Sequence, residues 1–204
     1  MSDQQIVFHE YGGPEVFRLE TFTPRKPASG EVLVRMTAIG LNFIDTYQRS
    51  GLYAIPLPSG AGNEGAGIVE EVGEGVSHVA VGDRVAFSGG ALGAYTTRMT
   101  RPAETVVKLP DDISDEDAAA VMLKGLTVQY LTRQIYPVQA GETALFHAIA
   151  GGVGTLATQW LKALGVIIIG PAGSPEKAQL AKSLGCDHVI LYNEANVPER
   201  VADI

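Results

Sequence analysis

The stretch Ala148-Ile149-Ala150-Gly151-Gly152-Val153-Gly154 constrains this chain more than any other. It lies between the apolar run Ala144-Leu145-Phe146 and the periodic segment Leu156-Ala157-Thr158-Gln159-Trp160-Leu161. The order reads as strand, glycine-rich turn and helix start. Glycines let a backbone approach phosphates closely, and a helix start offers unpaired N–H groups and the positive end of a dipole. Glycines also mark ordinary turns, so the string alone is weak. The strand before it and the amphipathic helix after it supply the context that a pyrophosphate pocket requires.

The rest of the chain falls into two textures around that turn. Before residue 125, short β-branched segments alternate with glycine punctuation. Candidate strands are Gln5–His9, Phe17–Thr23, Glu31–Ile39, Gly67–Val72, Arg84–Phe87, Ala94–Met99 and Thr105–Lys108, a spacing that predicts a compact barrel or sandwich. Ser114-Asp115-Glu116-Asp117 then opens a helix that runs on to Leu131. Strand Thr143–His147, helix Val153–Leu164, strand Val166–Ile169, helix Pro175–Leu184 and strand His188–Leu191 alternate, as in a parallel doubly wound sheet. Gly165 and Gly185 stand where helices need left-handed caps. Only the 3-2-1 half of a 3-2-1-4-5-6 sheet is present, so the 204 residues read as part of a longer protein.

Composition excludes several classes. The formal net charge of −8 and the lack of any Lys/Arg run argue against a nucleic-acid footprint. The start, Met1-Ser2-Asp3-Gln4-Gln5, has neither a basic n-region nor a long apolar run, and Val166–Ile169 is strand length rather than span length. One cysteine, Cys186, rules out an intrachain disulfide and a multi-cysteine zinc site. A cytoplasmic protein without membrane or nucleic-acid partners is expected.

Cofactor choice turns on the end of the second strand of the alternating half. An NAD-type pocket places Asp or Glu about 20 residues after the glycine loop. Here Gly170-Pro171-Ala172-Gly173-Ser174-Pro175-Glu176-Lys177 has no carboxylate at the strand end, and Glu176 falls inside the following helix. Ser174 and Lys177 lie where a hydroxyl, a helix start and an ammonium could hold a 2′-phosphate. Ser174-Pro175 equally makes an ordinary N-cap with Pro at the first helical position. The two readings are compatible, and NADP(H) is expected. In Gly40–Tyr53, Asn42 and Asp45 could bond a carboxamide or ribose, and Tyr47 and Tyr53 could wall a flat substrate. They could also be helix caps and half-buried packing. His147 ends a strand and reads as structural; the histidines show no metal-ligand spacing, so no metal is expected.

Gly62-Asn63-Glu64-Gly65-Ala66-Gly67 is similar to the Gly-His-Glu signature of zinc alcohol dehydrogenases, with Asn63 where the zinc-ligating histidine would stand. Further matching pieces are His9–Val16, Asn42–Tyr47, Arg49–Tyr53, Val81-Gly82-Asp83-Arg84-Val85, Lys124-Gly125-Leu126-Thr127 and Ala150–Gly154 with Gln159 and Lys162. On these, the chain resembles the medium-chain dehydrogenase/reductase superfamily, and within it the zinc-free NADPH:quinone oxidoreductases related to ζ-crystallin. The resemblance implies a GroES-like β-barrel catalytic domain over residues 1–125. It implies the first half of a Rossmann NADP-binding domain over 126–204, with NADPH in the cleft between the two. It further implies cofactor-binding roles for Asn42, Phe43, Ile44, Asp45, Thr46, Tyr47, Thr127 and Tyr130, for Gly151, Gly152 and Val153, and for Gly173, Ser174, Pro175, Glu176, Lys177 and Tyr192. Asn42, Tyr47 and Tyr53 are the candidates for positioning substrate or relaying a proton. The implied activity is metal-free hydride transfer from NADPH to quinones or electron-poor carbonyls, in a family whose full-length members form homodimers. A 2-alkenal or enoyl reductase, or an inactive or binding protein, are the alternatives. One departure stands out: Ile149 replaces the small residue of the motif's first position, where a β-branched side chain crowds the turn and is either absorbed by the neighbouring strand or weakens binding.

Overall fold

The computed structural model describes residues 2–204, which divide into two compact units, one ending at Leu123 and the other spanning Lys124–Ile204. In the first unit β1 (Asp3–Phe8), β2 (Arg18–Phe22) and β4 (Ser59–Gly60) form a small antiparallel sheet in the order β2-β1-β4. A larger antiparallel sheet runs β7-β3-β5-β6-β8, from β3 (Glu31–Gly40), β5 (Glu64–Val72), β6 (Arg84–Ser88), β7 (Arg98–Pro102) and β8 (Val106–Lys108). Alternating apolar positions drive this arrangement. Val32 and Val34 of β3 and Val85 and Phe87 of β6 bury their side chains in one cluster with Val69 and Met99. Helix α1 (Phe43–Ser50) follows β3, and α2 (Asp115–Tyr130) follows the sheet.

The strand expected over Ala94–Met99 starts later, at Arg98. Ala94–Thr97 instead carries the chain from one sheet to the other. The Ile6 N–H donates to the Tyr95 carbonyl at 2.8 Å, and the Met36 N–H donates to the Thr97 carbonyl at 2.9 Å. A segment that divides its backbone bonds between β1 and β3 cannot continue either ladder.

The second unit is a three-stranded parallel sheet in the order β11-β10-β9, built from β9 (Thr143–Leu145), β10 (Ile167–Ala172) and β11 (His188–Leu191). Helices α3 (Gly152–Ala163) and α4 (Pro175–Ser183) connect the strands, and α5 (Val197–Ala202) follows them. Gly165 and Gly185 have φ of 76° and 104°, the left-handed geometry expected of them. β10 runs past Gly170-Pro171, where the sequence pointed to a break. β9 pairs only as far as Ile169, so Pro171 lies where β10 has one neighbour and its missing donor is tolerated. The helix α5 was not anticipated, although Asn196 caps it and Pro198 stands in its first turn.

Of the two outcomes open for Ile149, the neighbouring strand absorbs the side chain. Ile149 is fully buried among Val128, Val138, Ala157, Leu161 and Ile168. A Cβ on Gly170 would meet its side-chain atoms at 2.6–2.8 Å, so the bare glycine on β10 supplies the room. The unusual backbone falls one residue earlier, at Ala148, with φ of 51°.

Candidate functional site

Two groups of residues carry the site chemistry, one in each unit. In the second unit a cavity of about 380 Å³ opens at the carboxyl ends of the strands. Ligands of open parallel sheets bind at that end. Its walls come from three places: the His147–Gly151 turn after β9, the end of β10 with Gly173 and Lys177 beyond it, and Tyr192 after β11. The turn is pinned by the Gly151 N–H, which donates to the Ala148 carbonyl at 2.8 Å. Helix α3 starts immediately beyond it, with Gly151 as N-cap.

Close approaches surround the glycines here, the tightest at Gly154 and Gly173. A Cβ on Gly154 would lie 2.3 Å from the Ala148 carbonyl oxygen and 2.5 Å from that of Ile149. On Gly173 it would lie 2.3 Å from the Tyr192 hydroxyl, and on Gly152 it would meet the Lys124 side chain at 3.0 Å. Ser174 is the N-cap of α4, its hydroxyl accepting from the Lys177 N–H at 3.3 Å. The same hydroxyl, bonded to Glu176, lowers that exposed carboxyl below its ordinary value. The Lys177 ammonium makes no ion pair among the described residues. No carboxylate lines the cavity.

The structure therefore brings Gly151, Gly173, Lys177 and Tyr192 around one cavity. Gly152, Val153, Ser174, Pro175 and Glu176 adjoin those residues in α3 and α4 without lining it. Thr127 and Tyr130 lie on α2, Thr127 half-buried and Tyr130 exposed. Sequence reasoning missed Asn193, whose Nδ2 donates to the Gly173 carbonyl at 2.8 Å and fixes that corner. It also missed His147 as a wall of the cavity. An Asn directly after Tyr192 was the only signal for the first, since the contact joins two different strand ends.

In the first unit the centre is Asp45, buried in α1. One oxygen accepts from the Asn42 N–H at 2.8 Å and from the Tyr95 hydroxyl at 2.6 Å; the other accepts from Asn63 Nδ2 at 2.5 Å. Asn63 Nδ2 also donates to Gln48 Oε1 at 2.9 Å. Burial, with Asp45 second, pushes the Tyr95 phenol well above its ordinary range, so it stays a donor. Asn42 caps α1 and points its amide at the fully buried Glu64, Nδ2 to Oε1 at 2.6 Å. The other Glu64 oxygen accepts from the Leu123 N–H at 2.6 Å. Asn63 thus spends its amide on a carboxylate and a carboxamide. Among the described residues no three His, Cys, Asp or Glu are grouped to hold a metal ion.

Beside this network Phe43, Tyr47 and Tyr53 form an aromatic row with ring centroids 5.1 Å and 5.2 Å apart. Phe43 and Tyr53 are exposed, Ile44, Thr46 and Tyr47 half-buried, and Thr46 Oγ1 donates to the Phe43 carbonyl at 2.7 Å. The Tyr47 and Tyr53 hydroxyls have no hydrogen-bond partner among the described residues. Gln48, Glu64 and Tyr95 were not singled out from sequence. Glu64 is adjacent to Asn63 in the glycine-rich string, but only pairing of β5 with β3 and β6 shows it to be buried.

The alcohol dehydrogenase GroES-like domain family matches residues 28–111, and the zinc-binding dehydrogenase family matches residues 152–204. A quinone oxidoreductase of Pseudomonas aeruginosa is 56% identical over 98% of this chain and 62% of its own length. On these matches the chain is similar to the quinone oxidoreductases of the medium-chain dehydrogenase/reductase superfamily. Quinone oxidoreductase 1 of Escherichia coli is 52% identical over 98% of this chain and 62% of itself. The family fold is equally close. The crystal structure of the Escherichia coli quinone oxidoreductase complexed with NADPH superposes with a TM-score of 0.95 at 52% identity, covering 98% of this chain and 62% of that one. A 2-haloacrylate reductase of Burkholderia is 42% identical over 97% of this chain and 61% of its own length. The chain thus spans about 62% of the length of the curated quinone oxidoreductases it matches.

Proposed function

We propose that this chain carries an NADPH-dependent quinone reductase. The GroES-like residues 1–125 are assigned the catalytic role and residues 126–204 the cofactor role. The observation that carries the reading is the cavity after β9, β10 and β11, with glycines at its closest approaches, Lys177 on its wall and no carboxylate. Those residues fit the adenosine and phosphate portion of a dinucleotide that bears an extra phosphate. NADPH, when bound, supplies the hydride. The chain's own groups bind and orient: the glycine turn admits phosphate to its backbone, and Lys177 offsets negative charge. Gly173, Ser174, Pro175, Glu176 and Tyr192 shape the adenosine end, with Gly151, Gly152 and Val153 at the pyrophosphate. Asn42, Tyr47 and Tyr53 position the acceptor, the two free phenols being able to donate to a quinone oxygen. Phe43, Ile44, Asp45, Thr46, Thr127 and Tyr130 complete the cofactor-side set. A cytoplasmic location, a homodimer and a small-molecule acceptor belong to the same proposal.

Supplying the full-length protein with NADPH and 1,4-naphthoquinone is expected to oxidise the cofactor, followed by absorbance. Silence with NADPH, NADH and a panel of other acceptors would refute the oxidoreductase reading. The relative that reduces 2-haloacrylate favours a second reading, in which the acceptor is an electron-poor alkene. Faster turnover of alkenals than of quinones in the same panel decides for it. Cofactor choice has its own check. Lys177→Ala is expected to weaken NADPH binding by about 10- to 100-fold, the range of a charge-assisted contact, and to leave NADH nearly unchanged. Equal losses for both would remove Lys177 from the 2′-phosphate.

A further inference from the structure

We propose that His147 is a further phosphate-binding residue of this cavity, facing the pyrophosphate and making dinucleotide affinity rise as the pH falls. The inference rests on the reading of the cavity as a dinucleotide site. His147 is the residue at which the chain leaves the sheet. Phe146 still donates its N–H to the Ile169 carbonyl at 2.9 Å and packs against the core, and the turn begins with His147. From there the imidazole is exposed and lines the same cavity as Gly151 and Lys177. It has no hydrogen-bond partner among the described residues. By contrast, His9 is bonded to Glu20 at 2.7 Å and His78 to the Ala103 carbonyl at 2.9 Å.

The placement divides the cations of the site between two ends. Lys177 stands on α4, on the Gly173 side of the cavity. His147 stands on the opposite strand end, in the same turn as the phosphate-binding glycines. The titratable or charged groups near it are Lys177 from α4, the Tyr192 phenol after β11, and Lys124 of α2, whose side chain runs over Gly152. None is a carboxylate, so nothing in the cavity neutralises a protonated imidazole except an anionic ligand. Imidazole changes charge between about pH 5 and pH 8, and in both forms it can donate one ring N–H. The protonated form adds a charge-assisted contact to the diphosphate. The linkage is reciprocal: a bound diphosphate favours the protonated imidazole, so the contact strengthens as the pH falls.

The test is a binding titration of NADPH and of NADH with the wild-type protein, His147→Gln and His147→Lys, at about pH 6 and about pH 8. The 2′-phosphate of NADPH itself takes up a proton near pH 6, so affinities are compared between variants at each pH. Wild type is expected to bind both dinucleotides roughly tenfold more tightly than His147→Gln at the lower pH and nearly equally at the higher, the effect of one charge-assisted contact. His147→Lys is expected to bind tightly at both. The side chain is exposed, so all three proteins should share one thermal midpoint. A pH dependence unchanged in His147→Gln overturns the proposal. An effect confined to NADPH also overturns it, because it would place His147 at the 2′-phosphate. Failure of the wild type to bind either dinucleotide refutes the underlying reading, a result distinct from binding without a pH effect.

Discussion

Asp45→Ala is expected to destabilise the first unit by about 3–5 kcal/mol, the largest effect of any single side-chain truncation near α1. Three donors converge on this buried carboxylate: the Asn42 N–H, the Tyr95 hydroxyl and Asn63 Nδ2. Removing it leaves each of them inside the unit without its acceptor, and a buried unsatisfied donor costs about 1–3 kcal/mol. The sum is less than additive because water enters the space. Two gentler changes grade the effect. Asp45→Asn keeps the volume and one acceptor, and Tyr95→Phe removes a single donor, for about 1 kcal/mol. Denaturant unfolding of the three variants checks the order. A loss below about 1 kcal/mol for Asp45→Ala would mean that the network is not the support of α1.

Gly154→Ala is expected to cost more than about 3 kcal/mol and to abolish dinucleotide binding. The added methyl would sit 2.3 Å and 2.5 Å from two backbone carbonyl oxygens, those of Ala148 and Ile149. Neither can move without opening the turn that shapes the cavity, and Ala148 already holds a left-handed φ of 51°. Gly125→Ala is the matched control. Gly125 lies within α2, and a Cβ there meets nothing within 4 Å, so alanine should stabilise by about 0.5–1 kcal/mol through helix propensity. Thermal unfolding and NADPH titration of the pair test both. Equal tolerance of alanine at 154 and 125 would refute the close-approach account of the turn.

Much of the fold was legible because it rests on local periodicity. The alternation after residue 125, the left-handed glycines at 165 and 185 and the N-cap Ser174 all emerge where the spacing put them. The site was legible only in part. Asn42, Tyr47 and Tyr53 attract notice as polar and aromatic groups after an apolar strand, and Lys177 as a cation after a strand end without an acid. The sequence shows no reason to join Asp45 to Tyr95, because that contact spans two sheets and a loop. Nor does it show that His147 and Lys177 border one cavity, since each follows a different strand.

Ile149 marks the division most clearly. Periodicity and residue type determined the βαβαβ order, the strand-turn-helix context of the glycines and the missing strand-end acid. They left open whether Ile149 obstructs the turn or is absorbed by the neighbouring strand. Tertiary structure decided between these: the side chain enters the core, Gly170 on the neighbouring strand leaves its space, and Ala148 takes the strained conformation. Local sequence sets backbone preference within a few residues. Whether a side chain obstructs or fills depends on what the adjacent strand places opposite it, and only packing determines that.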